Sequence, residues 1–474
     1  MNFEAVIGLE IHVQMKTKSK MFSSSPVSFS SCPNTNVSVL DLAFPGAMPT
    51  INKQAVINAI RVCSALKMNI DNELWFDRKN YFYSDLPKGY QITQKRRPIG
   101  CKGELTIKTS TGEKIIHIER LHLEEDTCKQ VHEGEYTYLD FNRNGIPLIE
   151  IVSYPEFKNG EEAMIFIEKI RSIVSFLDVS DGKMENGSLR VDVNVSIMPI
   201  GSNKLGTKVE IKNINTLLNI QKAIDYEISR QEQLLLSGGR IEQETRRYDE
   251  KSKHTVLMRV KKEDVDYKYF AESNILPIKL SDEFIKDAIE SSPELAEQKK
   301  KRYLQLGIGE YESNILVSSK AMSSYFENTI QFGCNPVIAA NWILGDIQYI
   351  IRKQNITLSD FAVSPERLAK LIKLIENKTI SNNQARDIML EMLDNNDGPE
   401  LIVQRNSIEL INDENVLLVA IKKVLDDNQQ LIIDYKSGKD RAVRFVVGAV
   451  IKMTQGKANP KLLNELVIKE MKEK

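Results

Sequence analysis

Apolar residues recur at every second position in several parts of the first half of the chain, which is the spacing of a half-buried β-strand. On this basis we predict strands over Val6–Met15, Ile115–Leu123, Pro147–Val152 and Leu189–Ile197. Helical spacing predicts two intervening helices, over Lys53–Leu66 and Glu161–Phe176. Because regular strand–helix–strand alternation is missing, we predict an antiparallel sheet and an α+β fold class.

Helical periodicity dominates from the Ser291-Ser292-Pro293 segment to the end of the chain. A chain of 474 residues exceeds a single hydrophobic core. We therefore predict three domains: an antiparallel-sheet domain over 1–292, an all-α domain over 293–406 and a second all-α domain over 407–474.

Composition narrows the classes of protein that fit. The formal net charge is −1, so nucleic-acid binding would depend on local basic patches. The five cysteines are scattered and form no C-x-x-C pair, which favours a reducing compartment. The first residues lack a basic and apolar leader, and no apolar run reaches membrane length. We expect a cytoplasmic protein that does not enter a membrane.

Polar residues follow strand periodicity as regularly as apolar ones. The polar rows comprise Arg190, Asp192, Asn194 and Ser196; Glu10, His12 and Gln14; and Lys208, Glu210 and Lys212. A solvated sheet face is the ordinary interpretation of such rows, but Asp and Asn are depleted in strands. Glu150 lies within an apolar run, where an unpartnered carboxylate is costly.

Converging carboxylates require bound cations, because two of them at about 4 Å repel by about 4 kcal/mol at an effective dielectric near 20. Oxygen ligands with one imidazole suit Mg²⁺ or Mn²⁺ better than zinc. Such a site beside Lys79, Lys88 and Arg190 matches the needs of ATP-driven phosphoryl transfer. The chain has no P-loop motif.

The turn at Asp85–Gly89 lies within Y-S-D-L-P-K-G-Y-Q-I-T-Q (residues 83–94), where charges alternate with aromatic rings. A plain solvated hairpin would also accommodate these residues. Other distinctive segments are V-I-G-L-E-I-H-V-Q (6–14), R-L-H-L-E-E-D (120–126), N-R-N-G-I-P-L-I-E-I-V (142–152) and G-S-L-R-V-D-V-N-V-S (187–196). Together these segments resemble the B-subunit family of the tRNA-dependent glutamyl/aspartyl amidotransferases, the GatB/GatE family, over nearly the whole chain.

The resemblance implies a specific reaction and fold. The side-chain carboxylate of glutamate or aspartate, misacylated on tRNA-Gln or tRNA-Asn, would be phosphorylated by ATP and then aminated with ammonia. The sheet domain would be of the glutamine synthetase/guanidino kinase type. The implied catalytic residues are Lys79, Lys88, Arg190, Asp192 and Glu210, and the implied Mg²⁺ ligands are Glu10, His12, Glu124, Glu125 and Glu150. Adjacent strand residues face opposite ways, so the choice between Glu124 and Glu125 stays open.

The resemblance also implies partners. No cysteine or serine lies in a setting typical of an amidase nucleophile, so an amidase (A) partner would supply ammonia and a small C partner would complete a heterotrimer. Tyr81, Asp85 and Tyr90 would line the end of an ammonia tunnel.

Two segments depart from the family pattern. Relatives with a zinc knuckle have four cysteines, where this chain has Ser23, Ser25, Ser38 and Asp41, so we expect no zinc. We expect packing of Phe22, Leu42 and Phe44 to hold that region instead. In D-Y-K-Y-F-A-E-S-N (266–274), Lys268 replaces an arginine.

The last segment of the chain, Lys436–Lys474, is basic, with ten Lys/Arg against four Asp/Glu. A solubilising surface is one interpretation. By resemblance we expect a tRNA-binding surface that includes Arg441, Arg444, Lys452 and Lys457.

Two alternative functions remain: a non-catalytic tRNA-binding scaffold and a stand-alone ligase joining a small carboxylate to an amine. The acidic rows argue against the scaffold, and the basic helical tail argues against the small-molecule ligase. The sequence leaves open whether glutamyl-tRNA, aspartyl-tRNA or both are substrates.

Overall fold

The computed structural model describes residues 2–28, 32–260, 266–406, 413–436, 441–454 and 457–473. Contacts divide the chain into two compact units, Met1–Leu295 and Ala296–Lys474. The first contains mixed strands and helices and the second is helical, which confirms the α+β class. The closer assignment to a glutamine synthetase/guanidino kinase fold stays a prediction, as do the three domain boundaries. Residues 407–412, where the predicted tail domain begins, lie outside the described residues.

The strands of the first unit differ widely in length. In chain order they are β1 (Phe3–Gln14), β2 (Asn69–Ile70), β3 (Glu73–Leu74), β4 (Asp77–Asn80), β5 (Tyr90–Thr93), β6 (Gly100–Thr109), β7 (Gly112–Glu125), β8 (Lys129–Glu133), β9 (Tyr136–Asp140), β10 (Pro147–Ser153), β11 (Leu189–Pro199), β12 (Val209–Lys212), β13 (Glu244–Asp249), β14 (His254–Val260), β15 (Phe270–Ala271) and β16 (Ile278–Lys279). Its helices are α1 (Lys53–Ala65), α2 (Gly160–Phe176), α3 (Leu217–Leu236) and α4 (Asp282–Glu290). All four predicted strands and both predicted helices are confirmed.

A large sheet organises the first unit, with the spatial order β14-β13-β12-β11-β1-β10-β7-β6-β2. Neighbouring strands run antiparallel except β12 and β13, which are parallel. The long central strands therefore confirm the predicted antiparallel pairing. One face of the sheet carries the apolar half of each alternating pattern and contacts α1, α2 and α3. Ile11, Val193 and Ile149 on that face are fully buried. The opposite face of the sheet carries the polar residues of the same alternating strands.

Two helices of the first unit begin with asparagine caps. The side chain of Asn52 accepts hydrogen bonds from the backbone N–H groups of Gln54 and Ala55 at the start of α1. Asn159 accepts from the Glu162 N–H at the start of α2. These caps satisfy backbone donors that the first helical turn leaves unpaired, which fixes where each helix begins.

A small second sheet, in the order β15-β4-β5, faces the polar side of the large sheet. Gln91 and Thr93 of β5 both donate hydrogen bonds to Glu124 of β7 and so tie the two sheets together. The predicted turn before β5 is present, and Gly89 has a φ of +71°, which favours glycine.

The second unit consists of helices, with one π-helical turn at Ile343–Ile347 and one 3₁₀ turn at Leu358–Asp360. Its helices are α5 (Ala296–Gln305), α6 (Glu310–Leu316), α7 (Lys320–Gln331), α8 (Pro336–Trp342), α9 (Gln348–Gln354), α10 (Pro365–Glu376), α11 (Asn382–Asp394), α12 (Pro399–Arg405), α13 (Glu414–Asp426), α14 (Gln430–Lys436), α15 (Arg441–Met453) and α16 (Pro460–Glu473). One hydrophobic core lies among α5–α12 and another among α13–α16. No helix in the described part of the chain is long and apolar enough to cross a membrane.

Candidate active site

Strand register brings acidic and imidazole side chains into one row across the polar face of the large sheet. His12 of β1 pairs with Glu150 of β10, which in turn pairs with His122 of β7. On the next row, Glu10 pairs with Asp192 of β11. Directly paired residues of neighbouring strands point to the same side, so alternation in four separate strands creates one cluster.

The central cluster is tightly packed and buried. The Nε2 atom of His122 lies 3.0 Å from Oε1 of Glu124 and 3.3 Å from Oε2 of Glu150. The Nε2 atom of His12 lies 3.3 Å from the same Glu150 oxygen. Thr93 donates to Glu124 at 2.8 Å. Two imidazoles thus share two carboxylates, with each carboxylate held in a defined orientation.

Several groups of the cluster have shifted pKa values. Burial favours the neutral acid, but the charges of His122 and His12 hold the pKa of Glu150 well below its usual value. Burial opposes the charge on His122, yet Glu150 and Glu124 raise its pKa to about 9. For Glu10, burial raises the pKa, and the charges of Glu150 and Asp192 add to the effect. The neighbouring carboxylates therefore favour the protonated form of both imidazoles.

The donor set fits a hard divalent cation. His12, Glu124 and Glu150 each offer one ligand atom, and these atoms lie within 4.8 Å of one another. Carboxylate oxygens with an imidazole are ligands that suit Mg²⁺ or Mn²⁺. The Nδ1 atom of His122 is buried without a hydrogen-bond partner among the described residues. The orientation of the imidazole ring is therefore set by the contacts of Nε2 with the two carboxylates.

The cluster forms the floor of a cavity of about 270 Å³ whose remaining walls are largely cationic or aromatic. Its lining residues are Glu10, His12, Lys79, Thr93, Gln94, Lys95, Arg120, His122, Glu124, Glu150, Asp192, Glu210, Lys212, Tyr267 and Tyr269. At one end, Lys212 lies 2.5 Å from Asp192 and 3.3 Å from Glu210. Burial opposes the charge on Lys79, but Glu124 and neighbouring groups raise its pKa, so the amine stays protonated. Acids and cations therefore face each other across one small volume.

Two domain families match the chain. One described as the GatB/GatE catalytic domain covers residues 5–286, and one described as a GatB domain covers residues 324–471. The chain is 46% identical over 473 residues to the B subunit of the aspartyl/glutamyl-tRNA(Asn/Gln) amidotransferase of Bacillus cytotoxicus, covering 99% of each chain. It is 47% identical, with the same coverage, to the protein of that name from Geobacillus thermodenitrificans.

The chain belongs to the GatB/GatE family. The Mycoplasma capricolum protein of the same name is likewise 46% identical over 475 residues, and the match covers 100% of this chain.

Of the two adjacent acids that the family resemblance left open, the structure brings only Glu124 into the cluster. Glu125 forms an ion pair with Lys88 and accepts a hydrogen bond from the Ile92 N–H at 3.1 Å. Its inclusion among the ligands is therefore corrected: strand alternation turns it away from His12. Lys88 likewise lies outside the cavity lining, as the partner of Glu125.

Arg190 also lies away from the cavity, although it pairs with His12 in the sheet. Its Nη2 atom lies 3.0 Å from Oδ1 of Asp126, a buried carboxylate that also accepts from Gln14 at 2.6 Å. Burial opposes the charge on Asp126, but Arg190 and Arg143 lower its pKa. In this conformation Arg190 supports the strand ends instead of lining the cavity, whereas the predicted catalytic residues Asp192, Glu210 and Lys79 all line it.

The three residues assigned to an ammonia route lie around the turn that carries Lys88. The Tyr81 and Tyr267 rings are in edge contact, with centroids 6.1 Å apart. The Tyr90 ring lies 4.1 Å from the Arg78 guanidinium carbon. Oδ1 of Asp85 is buried without a hydrogen-bond partner among the described residues. These groups approach the Lys88–Glu125 pair, and their role in ammonia transfer stays a prediction.

Sequence reasoning missed His122 and the aromatic wall. The signal for His122 was present, because Arg120, His122 and Glu124 occupy alternate positions of one strand. Tyr267 and Tyr269 gave no such signal, since they lie more than a hundred residues from Glu124 and Glu150 and reach the cavity through contacts of their segment with β4.

The four positions that would carry zinc-binding cysteines converge on a buried ion pair. The hydroxyl groups of Ser23, Ser25 and Ser38 donate to Asp41 at 2.9, 2.7 and 3.1 Å. The ammonium of Lys20 lies 3.2 Å from Asp41, and its side chain has no exposed surface. Polar contacts therefore hold this segment, which we name the Lys20–Asp41 knot.

The expected packing of the same segment is only partly correct. Phe22 is buried, as expected, but Leu42 and Phe44 are 37% and 55% exposed. The absence of zinc itself stays a prediction.

The predicted tRNA-binding residues of the tail lie on exposed positions of the second unit. Arg441, Arg444 and Lys452 are exposed on α15, and Lys457 is exposed shortly after it. Val446 and Val450 of the same helix are fully buried, so basic and apolar residues occupy opposite faces.

Proposed function

We propose that this protein is the component of a tRNA-dependent amidotransferase that converts glutamate or aspartate, misacylated on tRNA, into its amide. It is an ATP-dependent ligase that acts within a complex. ATP phosphorylates the side-chain carboxylate of the amino acid, and ammonia then displaces the phosphate. The family relationship supports this function over most of the length of the chain.

The observation that carries the proposal is the cluster of His12, Glu124 and Glu150 beside the cationic groups of the cavity. A divalent cation bound there would neutralise phosphate oxygens and help to orient the triphosphate. A non-catalytic scaffold would have no need of this cluster, since buried carboxylates are costly unless they bind cations. Residues Glu10 and His122 border the same site and complete our proposed metal-binding set.

The chain's own cations serve the first chemical step. A carboxylate oxygen of the substrate attacks the γ-phosphorus, and the bond from that phosphorus to the bridging oxygen of ADP breaks. Negative charge on the phosphoryl oxygens is stabilised by Lys79 and Lys212, which both line the cavity. Asp192 and Glu210 orient Lys212 through their ion pairs, so they act as positioning residues.

The second step releases phosphate. The nitrogen of ammonia attacks the carbonyl carbon of the acyl phosphate, one N–H proton passes to the departing phosphate, and the amide remains. We propose that ammonia arrives from a partner amidase past Tyr81, Asp85 and Tyr90, with the Lys88–Glu125 pair separating that route from the cavity. A small third protein completes the complex.

The second unit binds the tRNA away from the reacting amino acid. The exposed basic face of α15 supports this assignment, because phosphate contacts position a nucleic acid without reading its sequence. A small-molecule ligase would have no use for such a face. Whether glutamyl-tRNA or aspartyl-tRNA is used depends on which misacylated species is present.

The test is ATP cleavage by the purified complex with and without misacylated tRNA. Glu150→Gln and His12→Ala should abolish tRNA-dependent ADP formation while glutamine hydrolysis continues. Glu104→Gln is the matched control. Glu104 lies on β6, outside the cavity lining, and forms a surface ion pair with Lys67. Full tRNA-dependent cleavage by both cavity variants would refute the proposal.

A further inference from the structure

The aromatic wall of the cavity is a short segment held by β4. The backbone N–H of Asn80 donates to the carbonyl of Tyr267 at 3.0 Å, and its side-chain amide donates to the carbonyl of Lys268 at 2.8 Å. Phe270 then pairs with Arg78 in the small sheet. This anchoring places Tyr267 and Tyr269, two residues apart, on the same side of the segment and into the cavity.

The wall combines π faces with ammonium groups. Nζ of Lys79 lies 5.1 Å from the centre of the Tyr267 ring, and Nζ of Lys95 lies 5.8 Å from that of Tyr269. The two rings are in edge contact, with centroids 6.1 Å apart. Neither lysine forms an ion pair with a carboxylate among the described residues. We call these four residues the tyrosine–lysine ledge.

Lys212 and the tyrosine–lysine ledge lie at different ends of the cavity. Lys212, with Asp192 and Glu210, belongs to β11 and β12, whereas Lys79 of the ledge lies on β4, next to β5, whose side chains donate to Glu124 of β7. Between β12 and β7 the cavity floor crosses four strand spacings, or about 19 Å at about 4.8 Å per strand. Two substrates can therefore enter the cavity at separate ends, with the acidic cluster between them.

The exposure of the ledge rises away from the cluster. Lys79 is half-buried near Glu124, whereas Lys95 is exposed. Tyr269 is 36% exposed, and the next residue, Phe270, is 48% exposed. A free mononucleotide has one base and would not need aromatic surface that continues into solvent. A single RNA strand has successive bases and phosphates, and proteins bind such strands with aromatic faces and cations.

We propose that the tyrosine–lysine ledge receives the unpaired 3′-terminal adenosine of the misacylated tRNA. The proposal rests on the proposed function. Tyr269 stacks on the terminal base, and Lys95 contacts the phosphate that precedes it. Lys79 faces the side-chain carboxylate that is to be phosphorylated, beside Glu124. An adenine ring is common to ATP and to the tRNA terminus, so the experiment must distinguish these two sources.

The experiment uses the assembled complex and measures KM separately for ATP and for misacylated tRNA. Tyr269→Leu removes the π face but keeps an apolar side chain, and Tyr269→Phe restores the ring. We expect Tyr269→Leu to raise the KM for tRNA by about 5- to 150-fold, the range given by about 1–3 kcal/mol for one base–aromatic stack. The KM for ATP should stay unchanged, and Tyr269→Phe should rescue most of the loss.

Tyr136→Leu is the matched control, because Tyr136 is 71% exposed on β9, outside the cavity lining. A second arm uses glutamyl-adenosine as a minimal substrate, and its use should fall in Tyr269→Leu to the same extent as that of tRNA. A rise in KM for ATP alone would overturn the proposal, as would unchanged constants for both substrates or a failure of Tyr269→Phe to rescue. If the wild-type complex shows no tRNA-dependent ATP cleavage, the proposed function itself fails, which is a separate outcome.

Discussion

The Lys20–Asp41 knot predicts an unequal cost for removing its two charges. Asp41 accepts hydrogen bonds from three serine hydroxyls, from the Ser38 N–H and from Lys20. The Lys20 ammonium donates hydrogen bonds to the Asp41 carboxylate and, at 3.1 Å, to the carbonyl oxygen of Phe141. Asp41→Ala should therefore destabilise the first unit more than Lys20→Met does.

The structure sets the magnitudes. Asp41→Ala leaves a fully buried ammonium with one carbonyl partner, and breaking a buried pair in this way costs about 3–5 kcal/mol. Lys20→Met leaves the carboxylate hydrogen-bonded, so we expect about 1–3 kcal/mol. Glu104→Ala breaks the Lys67–Glu104 pair, whose side chains are 68% and 38% exposed, and should destabilise the unit less than either buried substitution because solvent screens the pair.

The assay exploits the position of the two tryptophans. Trp75 lies in the first unit and Trp342 in the second, so Trp342→Phe leaves one reporter for the first unit. Urea unfolding followed by Trp75 fluorescence then gives the free energy of unfolding for each variant. Because three serines and Asp41 stand where thiolates would bind zinc, the purified protein should contain no stoichiometric zinc.

Equal destabilisation by Asp41→Ala and Lys20→Met would refute the reasoning, because the hydrogen bonds to the carboxylate would then contribute nothing beyond the ion pair. Stoichiometric zinc in the purified protein would contradict the expectation that this segment binds no zinc.

Two further predictions concern the second unit. Burial would raise the pKa of Glu327, but hydrogen bonds from Lys299 and Arg302 lower it. The ionised Glu327 therefore stabilises the folded unit above the unfolded pKa of about 4.3. This stabilisation is lost as pH falls through the lower folded pKa. Urea unfolding followed by Trp342 fluorescence in a Trp75→Phe background should therefore show a smaller loss of stability on acidification for Glu327→Gln than for the parent; equal losses would contradict this. Replacing Arg444 and Lys452 together by Gln should weaken tRNA binding by the complex and reduce the slope of log K against log salt by about 1 per lost phosphate contact. The control substitution Lys286→Gln on α4 should change neither the affinity nor the slope. An unchanged slope in the double variant would show that these residues do not contact tRNA.

Local pattern was sufficient to predict much of the first unit. Strands β1, β7, β10 and β11 were predictable because each alternates cleanly between apolar and polar residues. Alternation also placed Glu10 and His12 on one polar face. It could not choose between Glu124 and Glu125, because that choice depends on the register between β7 and β10, which pairs Glu150 with His122.

Contacts between distant segments were beyond sequence reasoning. Arg190 had the right residue type and row for a catalytic cation, yet it forms an ion pair with Asp126, directly after β7. Tyr269 joins the cavity through strand pairing across nearly two hundred residues. The Lys20–Asp41 knot was equally hidden, since substitution of cysteines predicts the loss of a metal but not the buried lysine that contacts the same carboxylate.

The most direct test of the proposed chemistry follows one oxygen atom. If the substrate carboxylate attacks ATP, an ¹⁸O label in the glutamate side chain of misacylated tRNA must appear in the inorganic phosphate released during amidation. We predict one labelled oxygen in phosphate for each amide formed when both carboxylate oxygens carry the label, and no labelled phosphate with Glu150→Gln. Amide formation by the wild-type complex that leaves the phosphate unlabelled would contradict an acyl phosphate, and with it the central claim for this cavity.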